Sequence, residues 1–358
     1  MRVLVAMSGG VDSSVAAALL RDQGHEVVGV WMRLHDVADA ASEVRKSCCS
    51  LDAGEDARRV AGQLGIPFHV MNLEREFERA VVSPFAEAYL AGRTPSPCID
   101  CNTYVKFGTL LGRARHLVGC EAVATGHYAR RSVDERGVAR LRRARDEAKD
   151  QTYFLYGLRQ DQLAAARFPL GELTKPEVRE VARSLGLATA EKPESQEICF
   201  VRGDYRETLA ERGWRPQPGP IADVDGRIVG EHGGTAGYTV GQRTGLGVAL
   251  GERRYVAAIE PAANLIRLGR RSDLERRRFA VEAMTFPAGP PSPRADGSFR
   301  AAVRIRHRGA LVGAFVRPME TEGTWTVETD EPVWGLARGQ AAVLYEGDEC
   351  VGGGRIAA

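Results

Sequence analysis

Lysine is scarce in this chain. Only five of its 49 basic residues are lysine (Lys46, Lys106, Lys149, Lys175 and Lys192), and arginine supplies the rest. The few ammonium groups are candidates for positions that need a compact point charge and not a planar guanidinium. A large excess of one charge sign is also missing. The 49 basic residues face 47 acidic ones, leaving +2. That excludes a histone-like tail and leaves nucleic-acid binding to local patches. No stretch approaches the ~18–20 consecutive apolar residues of a membrane span. The opening residues, Met1 to Met7, run straight into a glycine turn. They read as a strand, without the apolar core and small-residue cleavage site of a secretory signal. The expectation is a cytoplasmic protein with no membrane association. Cysteine is not lacking, but its count of seven is odd. In a large cytoplasmic chain this argues for reactive or metal-binding thiols and against a disulfide scaffold.

The 358 residues, 44% of them apolar, suit two to three soluble domains. Residues 1–200 alternate short apolar runs (Arg2–Met7, His25–Met32, Pro67–Met71, Ala122–Thr125) with helical patterns (Val11–Arg21, Ala53–Leu64, Glu74–Ala91, Lys106–His116). This rhythm predicts a doubly wound parallel sheet with helices on both faces. Tyr128–Arg145 carries a turn between two arginine-rich segments and reads as an exposed basic hairpin. Thr174 followed by Lys175 and Pro176 is helix-start chemistry. Past residue 204 the pattern changes to short alternating runs broken by glycine and proline, which predicts small β domains. The expected organisation is an α/β nucleotide domain over 1–203, a small central β-rich domain over 204–273 and a C-terminal β-barrel over 274–358.

Ser8-Gly9-Gly10-Val11-Asp12-Ser13-Ser14 joins the first strand to the first helix. Glycines let backbone N–H groups approach a ligand, the helix start adds unpaired donors, and the serines add hydroxyls. The loop lacks the G-K-[ST] of a Walker loop and is not G-x-G-x-x-G. A plain capped turn is the competing reading; the full string directly after a strand favours a phosphate site. It resembles the PP-loop of the ATP pyrophosphatases, which cleave ATP between the α and β phosphates. In that resemblance Asp12 helps hold Mg²⁺ with the pyrophosphate.

Cys98-Ile99-Asp100-Cys101 can bind a metal, cycle in redox, or supply a nucleophile. The adjacent Cys48 and Cys49 are awkward as a chelating pair, and a packing or loop role is favoured for them. Cys199 is a lone cysteine flanked by apolar residues, a pattern normally read as a buried small hydrophobe. That reading weakens where a nucleotide loop and a CxxC share the chain. Sulfur transfer needs one cysteine to carry a persulfide and a second to complete its release by thiolate exchange.

The segments GRTPSPCIDCN (92–102), TGHYAR (125–130), KDQTYFL (149–155), SQEICF (195–200) and GYTVGQRTGLG (237–247), with SGGVDSS (8–14), resemble the tRNA-specific 2-thiouridylases across nearly the whole chain. The resemblance implies ATP-dependent 2-thiolation of the wobble uridine of tRNA, with lysine, glutamate and glutamine isoacceptors as substrates. It implies ATP contacts from Ala6, Met7, Ser8, Gly9, Gly10, Val11, Asp12, Ser13, Met32 and Gly126. Cys101 is implied as the nucleophilic or resolving thiol and Cys199 as the persulfide carrier, with no resident metal. Ser96, Pro97 and Cys98 are implied beside the target base. His127, Lys149, Asp150, Gln151, Arg306, His307 and Gln340 are implied as tRNA contacts. A desulfurase or relay protein is the implied sulfur donor. Two departures stand out. Some relatives carry Asp, a candidate general base, where this chain has Cys98. Arg338-Gly339-Gln340 replaces a common PGQ, a change expected to alter the loop more than the chemistry. An alternative keeps the tRNA substrate but has Cys98, Cys101 and Cys199 hold an iron–sulfur cluster with one open iron.

Arginines also cluster in the hairpin, around Arg267–Arg278, and at Arg304, Arg306 and Arg308. Each alone reads as a solvated face; together, on a chain of net charge +2, they suggest phosphate tracking.

Overall fold

In the computed structural model of the protein, residues 1–35, 51–193, 198–201, 203–248, 251–291 and 293–357 are described. Strand β1 (Arg2–Ala6) has four of its five residues buried. Its side chains alternate between two cores. Leu4 and Ala6 enter one, with Val28, Phe77, Cys101 and Phe107; Val3 and Val5 enter the other, with Val15, Val60 and Leu187. A strand apolar on both faces belongs in the middle of a parallel sheet. Its partners in chain order are β2 (Glu26–Arg33), β3 (Phe68–Asn72) and β4 (Ala122–Ala124). The hairpin strands β5 (Arg130–Val133) and β6 (Ala139–Arg142) come next, then β7 (Ala166–Arg167). The sheet order is β3-β2-β1-β4-β7, with every pair parallel. From β1 the chain passes through helix α1 (Val11–Asp22) to β2 on one side, and returns later to β4 on the other. The crevice above the carboxyl ends of β1 and β4 is therefore the topological switch point, where open α/β sheets bind ligands.

Two long helices, 74–90 and 97–117, pack on this sheet. Each contains a π-helical segment, Glu78–Val82 and Cys101–Leu110. Next come β8 (Gly219–Ala222), β9 (Ile228–His232), β10 (Tyr255–Glu260) and β11 (Leu265–Gly269), in sheet order β10-β11-β8-β9. The last six strands are β12 (Glu275–Thr285), β13 (Phe299–Arg304), β14 (Val312–Pro318), β15 (Trp325–Trp334), β16 (Ala341–Glu346) and β17 (Glu349–Ile356). They run β12-β15-β14-β13-β16-β17, and β17 pairs back onto β12 to close a barrel. Val281, Phe299, Val316, Val327 and Leu344 fill its interior. The α/β sheet, the small central β unit and the C-terminal barrel agree with the expected fold class. Among the described residues no helix is long and apolar enough to cross a membrane.

The basic hairpin departs from expectation. It is present at the expected place, but it is not a free, solvated arm. Strand β6 pairs with β17, placing Leu141 opposite Cys350 and Arg142 opposite Glu349, so the hairpin extends the barrel sheet. Arg130 and Arg142 reach Asp348 at 2.9 and 2.8 Å, and Arg140 bridges Asp134 and Glu349 at 2.8 and 2.9 Å. The acids that neutralise these arginines lie about two hundred residues away in sequence, beyond any local pattern. Arg304, one of the arginines grouped with the basic patches, is likewise buried at 8% exposure and paired with Asp150.

Candidate active site

Met7 continues the β1–β2 pairing by donating its N–H to Val30 O. The chain then turns through Gly9 at φ +68°. A Cβ there would lie 2.1 Å from the carbonyl oxygen of Ala53, so only glycine fits. Ser8 N–H donates to Ser13 Oγ at 3.1 Å, and the Ser13 and Ser14 hydroxyls donate to Gly10 O at 3.1 and 2.9 Å. These two hydroxyls therefore close the loop on itself. Helix α1 starts at Val11 without a side-chain cap. Among the described residues the N–H groups of Gly9, Gly10, Val11, Asp12 and Ser13 make no hydrogen bond. Five consecutive donors at a helix start form an anion cradle. Gly126, beyond the end of β4, forms the facing wall; a Cβ there would meet Ser13 N at 2.7 Å. Met32 lies half-buried near the carboxyl end of β2. The structure thus gathers the expected ATP contacts at the switch point.

Sequence reading missed two lysines here. Lys175 is 8% exposed, and its Nζ donates to both Asp12 oxygens at 2.7 and 2.8 Å. Tyr128 OH donates to Asp12 Oδ1 at 2.9 Å. Lys175 is placed by its position as the first residue of the helix Lys175–Ser184, whose N-cap Thr174 is held by Glu177 at 2.6 and 2.9 Å. Lys192 Nζ bonds Gly9 O at 2.9 Å and Asp56 at 2.7 Å. The scarcity of lysine was the available signal, since two of the five ammonium groups converge on one loop.

The cysteine turn sits at the junction with the barrel. Cys98 is exposed, while Cys101 is buried and opens the π-helical segment. Departures from α-helical winding of this kind recur at functional sites. Thr94 N–H donates to Arg338 O at 2.7 Å. Gly339, at φ +88°, sits so close that a Cβ would touch Arg93 Cβ at 3.0 Å. Arg355, from β17, donates through Nη2 to Asp100 Oδ1 at 2.6 Å. Desolvation raises the Asp100 carboxyl above its ordinary value, and the Arg355 guanidinium pulls it back. The barrel therefore clamps the turn on both sides of Cys98, and the Arg338-Gly339-Gln340 departure supplies one jaw. Cys199 is half-buried and packs on the core that contains Cys101. Phe200 meets Phe77 and Phe85 edge-on at 5.6 and 5.0 Å. Burial raises the thiol pKa of Cys120 and of Cys350, as expected of structural cysteines. Among the described residues no three His, Cys, Asp or Glu side chains converge as a metal-ligand set. Cys98, Cys101 and Cys199 are all among the described residues. Cys48, Cys49 and Lys46, with Ser195, Gln196 and Glu197 of the Cys199 motif, lie outside the described residues.

The expected tRNA contacts separate into groups. Lys149 and His307 line one cleft of about 540 Å³ with Arg143 and Arg308, so segments 158 residues apart meet between hairpin and barrel. Asp150 lies on the same cleft with its carboxylate fully buried. It accepts from the Thr152 hydroxyl at 3.0 Å and from Arg304 Nη1 at 3.2 Å. Gln151 Oε1 accepts from Tyr128 N–H at 2.9 Å and orders the His127 turn. The side chains of Asp150 and Gln151 are thus engaged inside the protein. His127 shares a 2.8 Å bond with Thr125 Oγ1; desolvation, then the Lys106 ammonium, hold its imidazole well below the ordinary value. His307 is lowered too, by desolvation and then by Arg308 and Arg304. Arg306 lies over the Trp334 ring at 5.0 Å and donates to Trp334 O and Gly335 O. Gln340 belongs to the loop that grips the cysteine turn.

A glycine-loop α/β sheet with an anion cradle at its switch point and an appended barrel place the chain in the nucleotide-using α/β class. Family models match the same three regions. Residues 1–203 match one described as tRNA methyl transferase HUP domain, 207–270 one described as tRNA methyl transferase PRC-barrel domain, and 276–356 one described as aminomethyltransferase beta-barrel domain. The chain is 47% identical over 377 residues to the tRNA-specific 2-thiouridylase MnmA of Roseiflexus castenholzii, covering 99% of each chain. It is 49% identical over 361 residues to that of Chloroflexus aurantiacus, covering 99% of this chain and 98% of the relative. Among solved structures, a 4-thiouridine synthetase–RNA complex with bound ATP matches at TM-score 0.36 and 17% identity, covering 59% of this chain and 50% of that one. The chain belongs to the tRNA-specific 2-thiouridylase family, a family of tRNA-uridine sulfurtransferases.

Proposed function

We propose that this protein replaces the 2-oxygen of the wobble uridine of tRNA with sulfur, at the expense of ATP. The observation that carries this is the run of five N–H groups at Gly9–Ser13, unbonded among the described residues and closed by Gly126, in the domain that also holds Cys101 and Cys199. The cradle is suited to the phosphates of ATP, and Lys175 and Lys192 are placed to steady the departing pyrophosphate. The uridine 2-oxygen attacks the α-phosphorus, and pyrophosphate leaves. Cys199 carries a persulfide supplied by a desulfurase or relay protein. Cys101 thiolate attacks the Cys199 sulfur, forming a Cys101–Cys199 disulfide and freeing hydrosulfide, which attacks C2 and displaces AMP. In a direct variant the terminal persulfide sulfur attacks C2 and Cys101 then breaks the S–S bond. Either way the disulfide is reduced by an external thiol.

Mg²⁺ would neutralise the pyrophosphate as it departs. The residues present suit a cation that arrives on the phosphates and takes one protein carboxylate, Asp12, once Lys175 moves from it to the phosphates. Lys149, His307, Arg306, Gln340 and His127 are assigned to tRNA, with Ser96, Pro97 and Cys98 at the base. The substrates are the lysine, glutamate and glutamine isoacceptors, the compartment is the cytoplasm, and the domains divide as 1–203, 204–273 and 274–358.

The test is an anaerobic single-turnover assay with ATP and unmodified tRNA, with thiouridine read by retardation on a mercury gel. Cys199→Ser is expected to be inactive with a persulfide donor and active with free sulfide, and Cys98→Ser active with both. Loss of activity in both variants with every donor overturns the persulfide route.

A further inference from the structure

Arg254 has no role in the chemistry above. It immediately precedes β10 in the central β unit. Its Nη2 donates to Glu252 Oε1 at 2.5 Å, but Nε and Nη1 are buried and find no partner among the described residues. A guanidinium taken out of water with two nitrogens unbonded requires an explanation. Arg254 lines a cleft of about 420 Å³ with Arg243, Arg253 and the turn Gly245–Val248. Arg270 approaches the same Glu252 at 3.4 Å. Arg254 and Arg270 thus share one carboxylate, and Arg243 and Arg253 line the same cleft, so the local excess is positive. Gly245 and Gly247 adopt φ +73° and +68°, which keeps the turn free of bulk beside the cleft.

Residues flanking the cleft meet the Trp334 ring that Arg306 also covers. Gly241 N–H donates to Val256 O and Val256 N–H to Gln242 O, which ties the Gln242–Arg243 turn to β10. Gly241 lies against Trp334, and Tyr255 meets the same ring edge-on at 5.4 Å. Arg306 lies over that ring and bonds the Trp334 carbonyl. The planar fork of an arginine matches the paired oxygens of a phosphate.

We propose that Arg254, with Arg243 and Arg253, forms a phosphodiester-binding site through which the central β unit holds the RNA backbone. This deepens the tRNA reading above and rests on it. Arg243 and Arg253, exposed on the cleft, present their planar forks to the phosphate oxygens, and Arg254, its Nε and Nη1 buried, supplies a fixed positive charge.

The test uses the full-length protein and unmodified tRNA, with Kd measured by filter binding between 50 and 200 mM KCl. Arg243→Gln and Arg254→Gln are each expected to raise Kd about tenfold at 50 mM. Each should lower the slope of log affinity against log salt by about 0.7–0.9 for every phosphate it no longer neutralises. Arg243 is exposed, so its variant tests the site even where Arg254→Gln fails to fold. Wild-type Kd and slope in Arg243→Gln overturn the site, as does weaker binding with an unchanged salt slope. If the wild type thiolates tRNA and Arg243→Gln binds as tightly as it does, only the phosphodiester site falls. If the wild type neither binds nor thiolates tRNA, the thiolation reading falls with it.

Discussion

Single residues in this site are set by charge and desolvation more than by contact area. Asp12 illustrates this: its two oxygens are held by Lys175 and Tyr128, neighbours 163 and 116 residues away in sequence. The loop around it was legible because Ser8–Ser14 is contiguous and its glycines have steric reasons. The lysines were not, because a lone Lys in a helix start looks like any solvated end. His127 makes a prediction at this scale. Burial, then Lys106, depress its pKa below 6.5, so the folded protein takes up this proton less readily than the unfolded chain. Stability is then fully present above pH ~6.5 and is lost as pH falls toward the folded-state value. His307 acts in the same direction. Thermal unfolding from pH 8 down to 5 is expected to show a midpoint that drops below pH 6.5. The drop should be smaller in His127→Gln, which has no ring to protonate.

At the scale of elements, the cysteine turn depends on what grips it. CxxC was readable, but its environment was not. The Thr94–Arg338 bond and the Arg355–Asp100 pair join parts of the chain more than 240 residues apart. Asp100, a sequence neighbour of Cys98, faces Arg355 in the structure. The pair positions the turn. Arg355→Met and Asp100→Asn are expected to lower kcat for thiolation about 10- to 100-fold, because small displacements of a reacting group are costly. KM for ATP should stay near wild type, and Arg355→Lys should recover part of the rate. Alkylation of Cys101 followed by mass spectrometry should change in parallel, which a loss of tRNA binding alone does not produce.

For the whole molecule, the α/β sheet and the barrel are joined by a shared strand pair and a buried ion pair. Asp150, with no side-chain exposure, faces Arg304 from β13, and the hairpin arginines face Asp348 and Glu349. These differ in worth. Removing Asp150 strands a buried guanidinium, so Asp150→Ala is expected to cost about 3–5 kcal/mol in denaturant unfolding. Removing the partly exposed Arg140 is expected to cost less than about 1 kcal/mol. Comparable losses for the two variants contradict this ranking. The same ion pairs changed the meaning of the basic hairpin, from a solvated arm to a strut between domains.

What the sequence by itself determined is local. The β-α rhythm, the glycine loop, the Thr174 helix start and the change to short strands past residue 204 each rest on residues adjacent in the chain, where steric and periodic rules apply. The thiol motifs were equally visible, since nucleophile chemistry is a property of residue type. Only the tertiary structure decided which charges meet. Lys175 with Asp12, Arg355 with Asp100, Arg304 with Asp150, and the hairpin with β17 pair groups whose separation along the chain hides them. A charge's partner is set by distance and desolvation in space, and a linear pattern carries neither.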